Sequence, residues 1–344
     1  MKAVQLVAHG KPGRFELREL PEPQAVPGQV VVQVKACGLN RLDLWLEENG
    51  LPLPPQLPRT PGCEIAGIVT QAGQGVAEWK PGDRVAIQSN LFCGHCEFCQ
   101  QGEEALCLSG ESLGIQRDGG FAEFVLAPAN ALVALPDGVD FTTSAALTLA
   151  GSTAMHMTTN RGKIRPGDWV LVIGASSGVG SAAIQIARGL GAKVISTGST
   201  EEKRALGRKL GADFMVDSTD PKWASEVRKI TNKRGVDFVV EHVGGDVLPK
   251  VFECLVRGGT VVTCGATGGR DLTFNMWAFF VKQHRLIGSY GRNRADMKAT
   301  LAWAAAGKLK PVIHSIYPLE KTAEAFLVLR ERRVLGKVLV KPEI

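Results

Sequence analysis

The chain has 344 residues, and at about 150 residues per domain this length predicts two domains. Apolar residues make up 44% and charged residues 22%, which excludes a disordered chain. The 40 Lys and Arg residues exceed the 34 Asp and Glu residues by 6, without a long basic run. The charge balance therefore indicates neither nucleic acid nor an anionic membrane as a partner, and it leaves a small anionic ligand open.

The first residues, Met1 to Gly13, lack the apolar core and cleavage site of a secretory signal. The chain contains no run of about 18 apolar residues, so we expect no transmembrane helix. These two features predict a cytoplasmic location.

Up to about residue 150, short apolar segments alternate with Pro and Gly. Three of these segments, 30–34, 65–69 and 84–87, are typical of strands bounded by turns. This part of the chain is therefore predicted to form a compact β-rich unit.

Four cysteines lie within fifteen residues, at positions Cys93, Cys96, Cys99 and Cys107. This spacing is typical of a tetrahedral four-thiolate zinc site, and four protein ligands would make the zinc structural. A pair of disulfides and an iron–sulfur cluster are the alternatives, and a reducing compartment disfavours the disulfides. We expect one structural zinc.

After residue 165 the pattern alternates between strand and helix. The continuous apolar run 169–173 predicts a buried parallel strand, and residues 181–190 show helical spacing. Further strands are predicted at 194–197, 214–216, 237–241, 260–264 and 286–290, with helices such as 201–210 and 246–256 between them. Six strands joined by helical crossovers predict a doubly wound parallel sheet. The tail predicts helices at 297–306 and 323–332 and a strand at 336–340.

The turn after the first of these strands is rich in glycine. Three glycines would allow a tight turn and the close approach of a pyrophosphate to the helix N-terminus, although the G-x-G-x-x-G spacing is absent. A turn without a ligand is the alternative. The cofactor-binding candidates in this segment are Gly174, Ser176, Ser177, Gly178, Val179 and Gly180.

The second strand of this half carries no carboxylate at its tip, where one would bind the ribose of NAD. Ser199 and Lys203 follow the strand instead, with Arg204 next in the chain. A neutral tip with basic neighbours favours the 2′-phosphate of NADPH, and NADH remains the alternative.

These motifs together resemble the medium-chain dehydrogenase/reductase superfamily over nearly the whole chain. The resemblance is carried by segments 62–67, 81–85, 93–107, 150–154, 174–180 and 336–338. It implies an α/β architecture with a GroES-like β-rich catalytic domain over 1–150 and 291–344. It also implies a Rossmann dinucleotide-binding domain over 151–290, an active site in the cleft, and a homodimer or homotetramer. We add Gly265 and Lys337 to the cofactor-binding candidates.

Zinc-dependent alcohol dehydrogenases of this superfamily carry a second, catalytic zinc. Its three ligand positions fall here on Asn40, Cys63 and Leu149, and only the accompanying Glu64 is retained. Cys63 and Glu64 alone do not supply the three protein ligands that a catalytic zinc needs. The sequence therefore predicts that the catalytic zinc is lost, and Cys63 is more typical of a small buried hydrophobe.

The segment 38–43 resembles the quinone oxidoreductase branch, which has Asn at position 40 and no catalytic zinc. That branch has a Tyr five residues later, where this chain has Trp45, and most of its members lack the zinc loop 93–107. Quinones and carbonyl-conjugated alkenes accept hydride without a Lewis acid. We expect Asn40 to orient the acceptor or the ribose, Trp45 and Leu149 to line the pocket, and Thr153 to border the nicotinamide.

Each of these residues has a structural alternative. Asn40 would also serve as the N-cap of the helix that follows it, and Trp45 would also serve as a core residue. His156 is more typical of a structural histidine than of a proton relay, and His242 is undecided. Asp43 is expected to pair with a nearby Arg.

Two other functions stay open at the level of sequence. One is an alcohol dehydrogenase with an atypical metal site at Cys63 and Glu64. The other is an NADPH-binding structural or regulatory protein with little turnover.

Overall fold

The computed structural model describes residues 1–52 and 55–343. The chain divides into two units, Met1–Ser152 with Arg292–Ile344, and Thr153–Gly291. Each unit is described by itself below.

The N-terminal part of the first unit consists mainly of strands. The strands are β1 (Lys2–Ala8), β2 (Arg14–Glu19), β3 (Gln29–Gly38), β4 (Glu64–Ala72), β5 (Arg84–Ile87), β6 (Asn90–Leu91), β7 (Glu111–Ser112), β8 (Phe124–Pro128) and β9 (Leu132–Ala134). The helices are α1 (Arg41–Glu47), α2 (Glu97–Gln100), α3 (Phe141–Leu147) and α4 (Ala150–Met155), and α4 continues into a π-helical segment at His156–Arg161. The three strands predicted at 30–34, 65–69 and 84–87 lie within β3, β4 and β5.

The second unit alternates strands and helices. Its strands are β10 (Trp169–Val172), β11 (Lys193–Gly198), β12 (Phe214–Asp217), β13 (Val236–Glu241), β14 (Leu255–Thr263) and β15 (Arg285–Gly288). Its helices are α5 (Gly178–Gly189), α6 (Glu201–Lys209), α7 (Trp223–Ile230), α8 (Val247–Cys254) and α9 (Met276–Val281). The six strands pair in the order β12-β11-β10-β13-β14-β15, and every pair is parallel. This order and direction define the doubly wound Rossmann sheet that the sequence predicts.

Buried apolar residues explain why this sheet forms. β10 reads Trp-Val-Leu-Val, and its last three residues are fully buried because both faces of the sheet are covered. α5 turns Ala183, Ile184 and Ala187 toward the interior. The carboxyl ends of β10 and β13 lie next to each other, at the point where the order of the strands reverses.

The tail returns to the first unit. It contributes α10 (Arg294–Ala305), β16 (Ile313–Pro318), α11 (Thr322–Arg330) and β17 (Lys337–Lys341). The main sheet of this unit has the order β16-β17-β3-β4-β5-β9, and β8 also pairs with β3. β17 runs antiparallel to β3, with Leu339 opposite Gly38. This pairing brings Lys337 to the end of β3, next to the start of α1.

Candidate functional site

The four cysteines of segment 93–107 lie together. Their Sγ atoms all fall within 4.8 Å of one another, and Sγ of Cys93 is 3.9 Å from Sγ of Cys99. A tetrahedron with Zn–S bonds of about 2.3 Å places its sulfurs about 3.8 Å apart. The four thiols therefore fit a structural zinc.

Backbone N–H groups point at these sulfurs, as they do in thiolate sites. The N–H of Cys96 donates to Sγ of Cys93 at 3.3 Å, and the N–H of Cys93 donates to Sγ of Cys107 at 3.2 Å. Hydrogen bonds from the backbone N–H groups of Leu108 and Cys99 lower the pKa of Cys96 to about 6. These bonds thus favour the thiolate at Cys96, the form that binds a metal, whereas burial raises the pKa of Cys99 to about 12.

α10 fixes the far end of this loop. The side-chain oxygen of Asn293 accepts from the N–H of Ala105 at 3.0 Å, and its Nδ2 donates to Glu103 at 2.9 Å. Asn293 is a functional residue of the loop that sequence reasoning missed, because 188 residues separate it from Ala105.

The glycine-rich turn lies at the carboxyl end of β10. Gly174 has φ +72°, a left-handed conformation that favours glycine. At Gly180 a Cβ would lie 2.1 Å from the carbonyl oxygen of Gly174, so only glycine allows the helix to approach the turn. Ser177 is the N-cap of α5, and its Oγ accepts from the N–H of Gly180 at 2.8 Å.

The remaining residues of the turn are partly accessible. Ser176, Gly178 and Val179 are half-buried at the carboxyl edge of the sheet. The first N–H groups of a helix have no carbonyl partner inside the helix, so those of Gly178 and Val179 are available to an anion, while that of Gly180 donates to Ser177. The structure brings together the turn residues that the sequence predicts, and their contact with a cofactor stays a prediction.

A basic group lies at the tip of β11. Thr200 caps α6, and Nζ of Lys203 is 3.3 Å from Oγ of Ser199. The guanidinium of Arg204 forms ion pairs with Asp217 at 2.8 Å and with Glu201 at 3.1 Å. The position of Lys203 beside Ser199 suits a phosphate at this tip.

Gly265 has a steric reason to be glycine. A Cβ at this position would lie 2.0 Å from the carbonyl oxygen of His242. Close packing of the two loops thus accounts for the glycine without a cofactor, and the predicted cofactor contact stays untested.

A buried polar cluster surrounds Glu64 in the first unit. One carboxylate oxygen, Oε1, accepts from the backbone N–H groups of Leu149 at 2.6 Å and Ala150 at 3.1 Å. The other oxygen, Oε2, accepts from Nδ2 of Asn40 at 3.1 Å and from Nζ of Lys337 at 2.7 Å. Four donors thus satisfy the Glu64 carboxylate.

Lys337 differs from its sequence expectation. Its ammonium group also donates to the carbonyl of Leu39 at 2.5 Å and to Oδ1 of Asn40 at 2.7 Å. Since an ammonium has three N–H donors, all three are engaged here. This arrangement favours a structural role for Lys337 over the predicted contact with the cofactor.

Asn40 is the N-cap residue of α1, but its amide turns to other partners. Its Nδ2 donates to Gly38 at 3.2 Å as well as to Glu64, so both amide hydrogens are engaged. The Asp43 carboxylate receives the N–H of Asn40 at 2.7 Å. As a side-chain donor toward an acceptor molecule, Asn40 is therefore disfavoured.

Asp43 corrects another expectation. Its carboxylate bonds to the backbone N–H groups of Asn40 and Gly62, not to an Arg. Burial raises the pKa of Asp43 to about 6. Cys63, on the same side of the sheet, is buried, and burial raises the pKa of its thiol, as expected for a small hydrophobe.

The other candidates are placed as follows. Trp45 is half-buried on α1, and Thr153 is buried in α4. His156 is buried at the start of the π-helical segment. His242 follows β13 and packs against the glycine-rich turn of its own unit, a contact that the sequence did not predict.

Glu241 was also missed. It is fully buried, and its carboxylate accepts from the N–H groups of Val243 and Gly244 at 2.5 and 2.8 Å and from the hydroxyl of Thr263 at 2.5 Å. The signal in the sequence was a charged residue at the end of an apolar strand, shortly before a pair of glycines.

Comparison with known proteins supports this architecture. The model of the alcohol dehydrogenase GroES-like domain matches residues 26–137, and that of the zinc-binding dehydrogenase matches residues 178–306. An alcohol dehydrogenase of Geobacillus stearothermophilus is 32% identical, with 99% of each chain covered. A quinone oxidoreductase of Homo sapiens is 30% identical, with 94% of this chain and 92% of that protein covered. The crystal structure of an NAD-dependent alcohol dehydrogenase superposes with a TM-score of 0.94 at 38% identity, covering 99% of both chains.

This chain therefore belongs to the medium-chain dehydrogenase/reductase superfamily. It is an NAD(P)H-dependent oxidoreductase, and the predicted α/β fold with GroES-like and Rossmann parts is confirmed. A protein of little turnover is thus disfavoured. Among the described residues, no helix is long and apolar enough to cross a bilayer.

Proposed function

We propose that this enzyme transfers hydride from NADPH to a quinone or to an alkene conjugated to a carbonyl, without a catalytic zinc. The observation that carries the proposal is the Glu64 carboxylate, whose two oxygens are engaged by four donors inside the protein. A carboxylate held in this way has no oxygen left to turn toward a metal without losing a buried hydrogen bond.

The neighbouring positions support the same conclusion. Cys63 offers one thiol, and Cys63 with Glu64 falls short of the three protein ligands that a catalytic zinc needs. Asn40 and Leu149 offer no thiolate or imidazole. Among residues 1–52 and 55–343, the zinc loop is the one group of three or more His, Cys, Asp or Glu side chains whose ligand atoms lie close enough to hold a metal.

The acceptor class follows from the chemistry. The nicotinamide of a bound dinucleotide supplies the hydride. Without a Lewis acid, reduction of a simple ketone loses its main source of oxyanion stabilisation, whereas a quinone or enone spreads the developing charge over a conjugated system. Ordinary hydrogen bonds are then enough to stabilise it.

The protein's own residues would position the reactants. Trp45 and Leu149 would line the acceptor pocket, and Thr153 would border the nicotinamide. Oδ1 of Asn40, which also accepts from Nζ of Lys337, would accept a hydrogen bond from a ribose hydroxyl. Solvent or a nearby side chain would supply the proton.

Lys203 supports NADPH over NADH. Its ammonium lies beside Ser199 at the tip of β11, where the 2′ position of the adenosine ribose is bound in Rossmann sheets. Glu201, the first residue of α6, is taken up by ion pairs with Arg204 and Arg208. It therefore does not stand as the ribose-binding carboxylate that NAD would require.

The second unit offers a surface for self-association. β15 is an edge strand, and α9 before it exposes Met276, Trp277 and Phe280. An apolar patch beside an open sheet edge is typical of a protein interface. We assign this surface to a homodimer or homotetramer of the chain.

Cofactor choice can be tested by charge reversal. Lys203→Glu should weaken NADPH binding about tenfold to a hundredfold, because a charge-assisted hydrogen bond is replaced by repulsion. NADH binding should change little. Lys209→Glu, an exposed residue at the end of the same helix, makes the same charge change as a control. Equal losses for both cofactors would refute the assignment.

The acceptor is tested with the zinc-loaded protein. NADPH oxidation is followed with a panel of quinones, conjugated enones, simple ketones and aldehydes. Turnover with quinones or enones alone supports the proposal. Turnover confined to simple ketones and aldehydes would overturn it.

An alcohol dehydrogenase is the second candidate, favoured by the names of several relatives. It requires a metal at Cys63 and Glu64. Alcohol oxidation that is abolished by a chelator that spares the fold, and by Cys63→Ser, would establish it.

A further inference from the structure

His242 lies where the strand order reverses. β10 and β13 are adjacent and parallel, with Val172 opposite Val240. The residues that follow these strands therefore meet at the carboxyl end of the sheet. A Cβ at Gly174 would lie 3.3 Å from Cε1 of the His242 ring, which shows how closely the ring packs on the glycine-rich turn.

Hydrogen bonds fix the protonation of this ring. Nε2 of His242 is 2.6 Å from the carbonyl oxygen of Ile173 and 3.1 Å from Oγ of Ser177. A carbonyl oxygen only accepts, so Nε2 must carry the proton. Burial lowers the pKa of His242, which keeps the ring neutral.

Ser177 completes the network. Its single hydroxyl hydrogen goes to the carbonyl of Gly174 at 3.1 Å, while its oxygen accepts from the N–H of Gly180 at 2.8 Å. The Nε2–H of His242 reaches the remaining lone pair. One imidazole N–H thus connects the end of β10 to the N-cap of α5.

Glu241 anchors the backbone that follows His242. Its carboxylate binds the N–H groups of Val243 and Gly244, the two residues that follow His242. The backbone around His242 is therefore held in place independently of the glycine-rich turn, which the His242 ring contacts.

We infer that His242 is a positioning residue of the cofactor site. Its Nε2–H holds Ile173 and Ser177 so that the N–H groups at the start of α5 stay aimed at the phosphates of the dinucleotide. This inference rests on the proposed cofactor site and assigns no contact between His242 and the cofactor.

The test compares cofactor affinities. Dissociation constants for NADPH are measured by nicotinamide fluorescence for the wild type, His242→Leu and His242→Gln. The Leu variant removes the N–H at similar volume, and we expect about tenfold weaker binding. The Gln variant restores an N–H at a similar reach and should stay within about threefold of the wild type.

His284→Leu is the matched control. It is a buried histidine of the same unit, and its ring stacks on that of Phe252 with centroids 6.0 Å apart. It should leave NADPH affinity unchanged. Unchanged affinity in His242→Leu, or equal losses in the Leu and Gln variants, would overturn the inference. A wild type that binds no NADPH would instead refute the proposed function.

If His242→Leu fails to fold, a second measurement tests the inference. ¹⁵N spectra of the wild-type imidazoles, assigned with His242→Gln, should show His242 protonated at Nε2 and not at Nδ1. Saturation with NADPH should leave this tautomer in place and slow the exchange of its proton. A proton on Nδ1 would overturn the inference.

Discussion

Lys337 and Glu64 form an ion pair with almost no solvent contact, since their side chains are 5% and 0% exposed. Removing one partner of such a pair leaves a buried charge uncompensated, which typically costs about 3–5 kcal/mol. We therefore expect Lys337→Met to lower the free energy of unfolding by about that amount, measured by urea denaturation.

The double variant Lys337→Met, Glu64→Gln tests the cause. It removes both charges together, so it should recover part of the loss. Lys229→Met breaks the exposed pair with Glu226 and should cost less than about 1 kcal/mol. A Lys337→Met variant as stable as the wild type would show that the ion pair does not form.

Asp43 makes stability depend on pH. Its pKa rises from 3.8 to about 6 on folding because burial disfavours the charged form. A raised folded-state pKa means that the carboxyl stabilises the fold below about pH 4, and that this contribution is lost as the pH rises through about 6.

The matched variant is Asp43→Asn, which does not titrate. The stability of the wild type relative to Asp43→Asn should fall by about 2 kcal/mol between pH 4 and pH 6.5 and stay level above pH 7. Thermal unfolding of both proteins across this range measures the difference. A constant difference would contradict the assigned cause.

At the level of elements, the zinc is expected to order the loop 93–107, which has little core of its own. α2 is four residues long and has no buried residue. Binding free energy of the metal therefore becomes folding free energy of the loop. We expect one zinc per subunit by metal analysis, and none in Cys96→Ser, with faster proteolysis of segment 93–107.

Cys264→Ser, outside the loop, is the control and should retain its zinc. Two zincs per subunit, with the second lost in Cys63→Ser, would contradict the proposed absence of a catalytic metal. Removing the zinc with a chelator should unfold the loop. NADPH binding should remain, because the cysteines and the glycine-rich turn lie in different units.

Elements with a continuous apolar run were predictable from the sequence. β10 and β13 were found because strands covered on both faces lack polar alternation. β16 was missed, because its residues alternate between half-buried and exposed positions and include His314 and Pro318. The predicted strand 286–290 ends at Gly288, since its partner β14 ends at Thr263, the residue opposite Gly288.

The polar cluster around Glu64 was beyond sequence reasoning. It depends on the pairing of β17 with β3, which brings Lys337 to Asn40 across 297 residues. Local patterns show that Asn40 precedes a helix. They do not show which buried charged side chain its amide will bind. The cysteine spacing and the glycine-rich turn were predictable because each is a local segment.

At the scale of the whole molecule, exposed aromatic side chains of the second unit bear on the proposed self-association. Trp277 is 71% exposed and Tyr290 is 67% exposed, unusual values for large aromatic side chains. Trp277 packs its ring edge-on against Phe280, with centroids 4.9 Å apart. Trp277 and Phe280 therefore present an exposed aromatic pair on α9, shortly before the edge strand β15.

We expect the wild type to sediment as a dimer or tetramer and Trp277→Glu to shift it toward the monomer, because a buried carboxylate at an interface has no partner to offset its desolvation. Leu327→Glu, an exposed leucine on α11, adds the same charge elsewhere and should leave the assembly unchanged. Analytical ultracentrifugation of the zinc-loaded proteins distinguishes these cases. A monomeric wild type, or equal dissociation in both variants, would show that the α9 surface is not the site of association.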